Sequence, residues 1–156
     1  MRCGRLIDSN ACPPCARSAR RLVVYGRCLE QLHPDVLDAV LGGDPGFSAC
    51  PEEHHVNMLG FKLAGMLARL PGVEEVVVFT VDGSMHCVQL HFMVEEVFRL
   101  LGLGERGVVR RHLVYEAGRV VEVSERAVKA ARYLSRVEKL LGRGARLPQG
   151  RHHQAQ

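Results

Sequence analysis

The sequence contains no tryptophan and few aromatic residues, which limits the partners that it is suited to recognise. Aromatic residues make up 5% of the 156-residue chain, so little surface is available for stacking on nucleic acid bases. The formal net charge of +4 is mild, and the arginines near the two ends support only a weak preference for polyanions. We therefore do not expect nucleic acid to be the main partner.

Long apolar runs and the common nucleotide motifs are also missing. No stretch approaches the roughly 18 consecutive apolar residues of a membrane helix, and residues 1–5 lead into no apolar segment typical of a signal peptide. We therefore expect a cytoplasmic protein with no membrane association. The patterns GxGxxG, GxxxxGK[ST] and HExxH do not occur, which argues against the common dinucleotide, P-loop and metalloprotease chemistries.

Cysteine, in contrast, is plentiful for a chain expected in the cytoplasm. The six cysteines favour metal or redox use over structural disulfides in that compartment. An all-cysteine zinc or iron–sulfur site takes four thiolates, and the first 28 residues supply them as a predicted cofactor-binding set: Cys3, Cys12, Cys15 and Cys28. The spacing matches no standard ferredoxin run, so a disulfide or unpaired thiols remain alternatives.

A predicted strand and the loop after it organise the rest of the chain. Residues 73–81 are rich in β-branched side chains and apolar on both alternating faces, as in a central strand covered on both sides. Asp82 and Gly83 then signal a turn, and apolar residues recur at helical spacing from Cys87 onward. Ligands of open α/β sheets lie beyond the carboxyl ends of strands, next to helix N-termini. The loop 82–87 is expected at that position.

A helix predicted over residues 51–70 brings a second set of side chains to the same place. Its length, roughly 28 Å at 1.5 Å per residue, matches the roughly 30 Å of the strand that follows. Antiparallel packing of the two elements then places Cys50 and His54 at the same end of the sheet as the loop 82–87. Cys50/His54 and Cys87/His91 both have the spacing Cys-x-x-x-His.

This arrangement predicts a metal site. Two thiolates and two imidazoles form a tetrahedral set suited to Zn²⁺, here Cys50, His54, Cys87 and His91. Two alternatives remain for the same residues. Cys50 and Cys87 could form a disulfide, or Cys87 could be a half-buried small hydrophobe and His91 a boundary histidine.

The loop also supports a nucleophile hypothesis. A cysteine at a helix start is expected to have a lowered pKa, and a neighbouring histidine and hydroxyl would assist it. The predicted catalytic set is Cys87, His86, Ser84 and Asp82.

The remaining patterns complete a predicted α/β fold with a small mixed β-sheet of about three strands covered by helices. Residues 108–115 and 119–123 read as a hairpin, and Ser124 caps a helix over residues 125–141. The expected organisation has three parts: an N-terminal helical Cys-rich extension (residues 1–49), an α/β core (50–142) and a disordered basic tail (143–156). Residues 16–32 are predicted as a helix, with a short strand at residues 22–25 as the alternative.

These observations favour a metal- or iron–sulfur-binding protein of redox or carrier type, acting with a redox or other protein partner. A thiol-dependent enzyme using Cys87, helped by His86 and His91, is the first alternative. A non-catalytic interaction domain stabilised by disulfides is the second. Metal, acid-labile sulfide and free-thiol measurements would separate the three.

Overall fold

A computed structural model describes residues 1–142 as one sheet with helices on both faces. The strands are β1 (Arg2–Arg5), β2 (Arg21–Gly26), β3 (Gly46–Ala49), β4 (Glu75–Val81), β5 (Val109–Glu116) and β6 (Arg119–Val123). Their order across the sheet is β1-β3-β2-β4-β5-β6. All neighbouring strands are parallel except β5 and β6, which are antiparallel. The sheet is therefore mixed, as predicted, but it has six strands rather than about three.

The helices divide between the two faces of the sheet. They are α1 (Cys28–Leu32), α2 (Pro34–Leu41), α3 (Val56–Leu67), α4 (Cys87–Leu101), α5 (Glu125–Ala131) and α6 (Leu134–Leu141). On the first face, α3 and α4 cover strand residues such as Leu22, Val24 and Val78. On the second face, α1 and α2 cover Val23 and Phe79. Because successive strand residues point to opposite faces, both layers draw on the same strands.

Strand β4 lies in the middle of the sheet, as its sequence predicts. It pairs with β2 on one side and β5 on the other, and its residues 76–80 are at most 1% exposed. A strand covered on both faces reads as a continuous apolar run, which explains why its pattern is clear in the sequence.

The prediction of an N-terminal helical extension is wrong. Residues 1–49 supply β1, β2 and β3, half of the strands in the sheet. Residues 22–25 form strand rather than helix because each is fully buried between the two layers. A disulfide between Cys3 and Cys15, with Cα atoms 6.4 Å apart, ties β1 to the 3₁₀ turn Pro14–Ala16.

Two predicted helices have different boundaries. Helix α3 begins at Val56 instead of residue 51, because residues 51–54 form turns in which the amides of Glu53 and His54 both donate to the Cys50 carbonyl. The helix predicted over residues 125–141 is divided into α5 and α6 at residues 132–133. Its N-cap is as predicted, since Ser124 Oγ accepts a hydrogen bond from the Ala127 amide at 3.2 Å.

The predicted hairpin forms β5 and β6. Its two turn residues, Ala117 and Gly118, have φ of 47° and 88°, the left-handed pair that a type I′ turn requires. The tail predicted to be disordered, residues 143–156, lies outside the described residues. Within residues 1–142, no helix combines the length and apolar character needed to cross a membrane.

Candidate functional site

The carboxyl ends of three neighbouring strands carry three cysteines. Because β3, β2 and β4 are parallel, the residues that follow them meet at one edge of the sheet, here called the carboxyl edge. Cys28 follows β2, Cys50 follows β3, and Cys87 starts the helix after β4. All three are free thiols: Cys28 is exposed, Cys50 half-buried and Cys87 buried.

The connections place these thiols at a crevice of the sheet. The chain passes from β2 to β3 on one side, then crosses back to β4 on the other side of β2. Open α/β sheets bind their ligands at such a reversal of strand order, outside the carboxyl ends of the strands. The crevice lies between Gly26, the last residue of β2, and Val81, the last residue of β4.

Gly26 leaves room for the Cys87 sulfur beside β2. A Cβ atom added at Gly26 would stand 3.3 Å from Cys87 Sγ and 3.7 Å from Thr80 Cβ. The missing side chain therefore lets the first turn of α4 approach the sheet, and it places the thiol and Thr80 next to the same point. Sequence reasoning did not single out Gly26.

The environment of Cys87 differs from the one that the sequence predicts. Burial is the main cause that raises the pKa of the Cys87 thiol, and nearby Cys28 and Cys50 add to the effect. The Ser84 side chain and the backbone of Val81 act in the opposite direction but do not outweigh burial. The pKa of this thiol is therefore raised, in the direction opposite to the one expected for a cysteine at a helix start.

The rest of the predicted catalytic set is only partly assembled. Ser84 Oγ accepts a hydrogen bond from the Cys87 amide at 3.2 Å. His86 turns toward Glu52, with Nδ1 and Oε2 3.7 Å apart. Asp82 is exposed, and its amide donates to the Tyr115 carbonyl. Of the three, Ser84 is the one with a direct contact to Cys87.

Charged side chains surround Cys50 at the same edge. Glu53 pairs with both Arg27 and Arg5. The hydrogen bond to Glu53 is the main cause that raises the pKa of Arg27, and nearby Cys50 is a minor one. Arg5 Nη2 also lies 3.3 Å from Nε2 of His54. Cys50 and His54 therefore share the edge with Cys87, where the length argument places them, but within a salt-bridged cluster.

The predicted metal ligands do not form one group. His91 uses both ring nitrogens elsewhere, toward Thr80 and His112, so it does not join Cys50, His54 and Cys87. Across residues 1–142, the structure shows no group of three or more histidine, cysteine, aspartate or glutamate side chains arranged to hold a metal.

The four-thiol set is not assembled either. Cys3 and Cys15 are bonded to each other, which removes two of the four predicted ligands. Cys12 lies in the loop that precedes Pro13, whereas Cys28 lies at the carboxyl edge after β2.

A hydrogen-bonded chain of side chains extends from the first face of the sheet to the half-buried carboxylate of Glu95. Thr80 Oγ1 lies 2.9 Å from His91 Nε2, His91 Nδ1 lies 3.0 Å from His112 Nδ1, and His112 Nε2 lies 2.8 Å from Glu95 Oε1. Thr80, His91 and His112 are at most 4% exposed. Burial and the neighbouring His112 lower the pKa of His91 from 6.5 to about 3, so His91 is neutral at ordinary pH.

Of the four side chains in this hydrogen-bonded set, only His91 was among the site residues that the sequence predicts. The available signals were local: His91 and Glu95 are one helical turn apart on α4, and Thr80 and His112 are polar residues inside strands. Their meeting depends on the register that sets Val78 beside His112, which no local pattern contains.

Comparison with known proteins adds one finding about the fold. A family model described as a Rossmann-like domain matches residues 14–144, which includes β2 through α6. The curated proteins and the solved structures gave no significant match.

Proposed function

The chain belongs to the Rossmann-like domain family, and on that premise we propose that it carries out thiol–disulfide exchange at the carboxyl edge of its sheet. The observation that carries the proposal is the set of three free thiols after β2, β3 and β4, graded from exposed to buried. In this fold the crevice beyond the strand ends is where ligands bind. A set of thiols there suits redox chemistry.

Cys28 is the residue that meets a disulfide partner. It is exposed, so its thiolate reaches a disulfide R–S–S–R, forms Cys28–S–S–R and releases one R–S⁻. Thiol–disulfide exchange proceeds through such a mixed disulfide. The exposed member of the set therefore opens the reaction.

Cys87 is the resolving residue. After burial, which is the main cause of the raised pKa of Cys87, nearby Cys28 contributes more than nearby Cys50, so we take Cys28 as its partner. The Cys87 thiolate attacks the Cys28 sulfur of the mixed disulfide, forms a Cys28–Cys87 disulfide and releases the second R–S⁻. Overall, two protein thiols are oxidised to one disulfide and R–S–S–R is reduced to two thiols.

The test is to equilibrate the full-length protein, purified without oxygen, with mixtures of oxidised and reduced glutathione. Free thiols are then alkylated and the disulfides are mapped by mass spectrometry. We expect a reversible Cys28–Cys87 disulfide. Cys28→Ser should form no mixed disulfide at this edge, and Cys87→Ser should accumulate the Cys28–glutathione adduct because the resolving step is lost.

Cys12→Ser is the matched control. Cys12 is also a free, partly exposed cysteine, but it lies outside the carboxyl edge, so its replacement should leave the exchange unchanged. Full exchange in Cys28→Ser or Cys87→Ser would refute the assignment. Stoichiometric iron with acid-labile sulfide, or stoichiometric zinc, in the same preparation would favour the cofactor-binding hypothesis instead.

A further inference from the structure

The helices α5 and α6 carry a concentrated positive surface. They enclose a hollow of about 760 Å³. Among the described residues, its lining contains four cationic side chains, two from each helix, and no acidic one: Arg126, Lys129, Arg136 and Lys139. Within residues 1–142 none of these four belongs to an ion pair, whereas eight arginines elsewhere in the chain do.

The acidic residues of the same two helices face away from the hollow. Helix α5 has one, Glu125, whose carboxylate accepts a hydrogen bond from Arg110 at 2.5 Å. Helix α6 also has one, Glu138, which is two positions from both Arg136 and Leu140. Because each residue of an α-helix turns by about 100°, a separation of two positions in either direction places Glu138 on the opposite side of α6. The two helices therefore do not neutralise the positive charge of their own hollow.

Large apolar side chains border the same hollow. Leu140 is one of its lining residues and is 54% exposed. Tyr133, which precedes α6, is also exposed, and the Arg136 guanidinium lies 4.2 Å from the centre of its ring. Helix α6 has no buried residue, so packing on the rest of the domain does not account for its leucines. The surface is thus basic and apolar at once.

We propose that α5 and α6 bind the surface of an anionic phospholipid membrane. The four cations then contact the headgroup phosphates and carboxylates, and Leu140 and Tyr133 enter the boundary between headgroups and acyl chains. Basic amphipathic helices with exposed leucine and aromatic side chains lie in the membrane interface in this way. Nucleic acid would also complement the charge, but its sugar–phosphate backbone offers no apolar layer for the two exposed side chains.

This inference uses none of the cysteines of the proposed thiol–disulfide exchange, so either proposal can fail alone. It replaces the expectation of no membrane association, which rested on the lack of an apolar run long enough to span a bilayer. A helix that lies in the plane of the interface needs no such run.

The first test measures binding of the full-length protein to vesicles by flotation. One set of vesicles is phosphatidylcholine alone, and the other is an equimolar mixture of phosphatidylcholine and phosphatidylserine. We expect binding to the mixed vesicles, weakening as salt is added, and none to phosphatidylcholine alone. Arg136→Gln combined with Lys139→Gln should weaken binding roughly 25-fold, since each cation near an anionic surface contributes about a fivefold factor.

The matched control for this test is Arg17→Gln combined with Arg119→Gln. It removes the same charge from two exposed arginines that lie outside α5 and α6, and it should bind almost as the wild type does. Equal binding to the two kinds of vesicle, or equal binding by the two double variants, would overturn the proposal. Binding to random-sequence duplex DNA with no binding to the mixed vesicles would also overturn it, in favour of nucleic acid.

The second test reads which side of α6 enters the membrane, and it exploits the lack of tryptophan in the sequence. Leu140→Trp places a fluorophore beside the hollow, and Glu138→Trp places one on the opposite side of the same helix. Circular dichroism first confirms that both variants are folded. With mixed vesicles we expect the emission of Leu140→Trp to shift to shorter wavelength, because its indole leaves water, and the emission of Glu138→Trp to stay unchanged. Equal shifts in the two variants, or no shift in either, would overturn the proposal.

Discussion

The two faces of the sheet differ in the polarity of the side chains that they bury. The second face, under α1 and α2, is a mainly apolar cluster that includes Phe79 and Leu113, and its buried Tyr25 hydroxyl donates to Glu30 at the rim. The first face, under α3 and α4, is also apolar over most of its area, but toward the carboxyl edge it buries Thr80, His91 and His112. Both faces use alternate residues of β4, so adjacent positions in one strand meet opposite environments.

The difference shows that buried polar side chains are concentrated on the first face, toward the carboxyl edge. Within residues 1–142, every buried side-chain nitrogen or oxygen has a hydrogen-bond partner, so the polar end of the first face is fully satisfied. Such a network adds specificity only while each member keeps its partner, because a lone buried polar group is costly. The second face depends mainly on filled volume, and the first depends on both volume and pairing.

The largest effect should come from removing volume on the second face. Phe79 is fully buried, and Phe79→Ala should lower the free energy of unfolding by about 3–5 kcal/mol, because it loses apolar burial and leaves a cavity. Urea unfolding followed by circular dichroism measures the change. A cost below about 1 kcal/mol would show that this face is not tightly packed.

Lowering the pH should reduce the stability of the protein through a residue that packs on the first face, His91. The pKa of His91 is about 3 in the folded chain against 6.5 ordinarily, so below pH 6.5 the unfolded chain binds a proton that the native His91 does not. Stability conferred by neutral His91 is therefore full above pH 6.5 and falls as the pH drops toward 3. The loss between pH 6.5 and about pH 4.5 should be about 2 kcal/mol.

Urea unfolding at several pH values checks this slope. In His91→Gln the His91 contribution disappears, so the pH dependence over this range should become shallower by the same amount. An equal slope in wild type and variant would show that His91 titrates normally in the folded protein.

The last effect comes from a pair of isosteric exchanges on β4. Thr80→Val removes the hydroxyl that is hydrogen-bonded to His91 Nε2, and Val77→Thr places a hydroxyl in the second face. Each should cost about 1–3 kcal/mol by leaving one buried polar group unpaired. Urea unfolding of both variants tests the comparison directly. A neutral Thr80→Val would mean that pairing contributes nothing at the first face.

The sequence was most informative where one element carried its own pattern. The central strand β4, the helix that starts at Cys87, the hairpin and the Ser124 cap all follow from local periodicity or turn chemistry. Strand β2 did not, because a short apolar run bounded by arginines and Gly26 fits a helix or a fully buried strand equally well. Strands β1 and β3 have four residues each, too few for a pattern, and exist because neighbours pair with them.

The site was predictable only in part, for a related reason. Parallel strands place Cys50 at the same edge as Cys87, which element lengths suggested. The raised pKa of Cys87 was not predictable from the sequence. It results from burial of the thiol, which depends on how closely the first turn of α4 packs against the strand at Gly26. His112 joins His91 through the register between β4 and β5, which is a long-range property of the fold.

The strand order has a consequence for how the chain is made. Strand β2 pairs with β3 and with β4, and Val23 lies beside Val77 in the finished sheet, so the central ladder has no partner until the ribosome has passed residue 77. Pairings between distant segments close slowly, whereas local hairpins close quickly. During synthesis, the edge of β2 that pairs with β4 therefore stays open while more than fifty residues follow Val23, although β3 becomes available earlier on the other edge. Chaperone holding or fast elongation over residues 26–75 should accordingly raise the yield of folded protein.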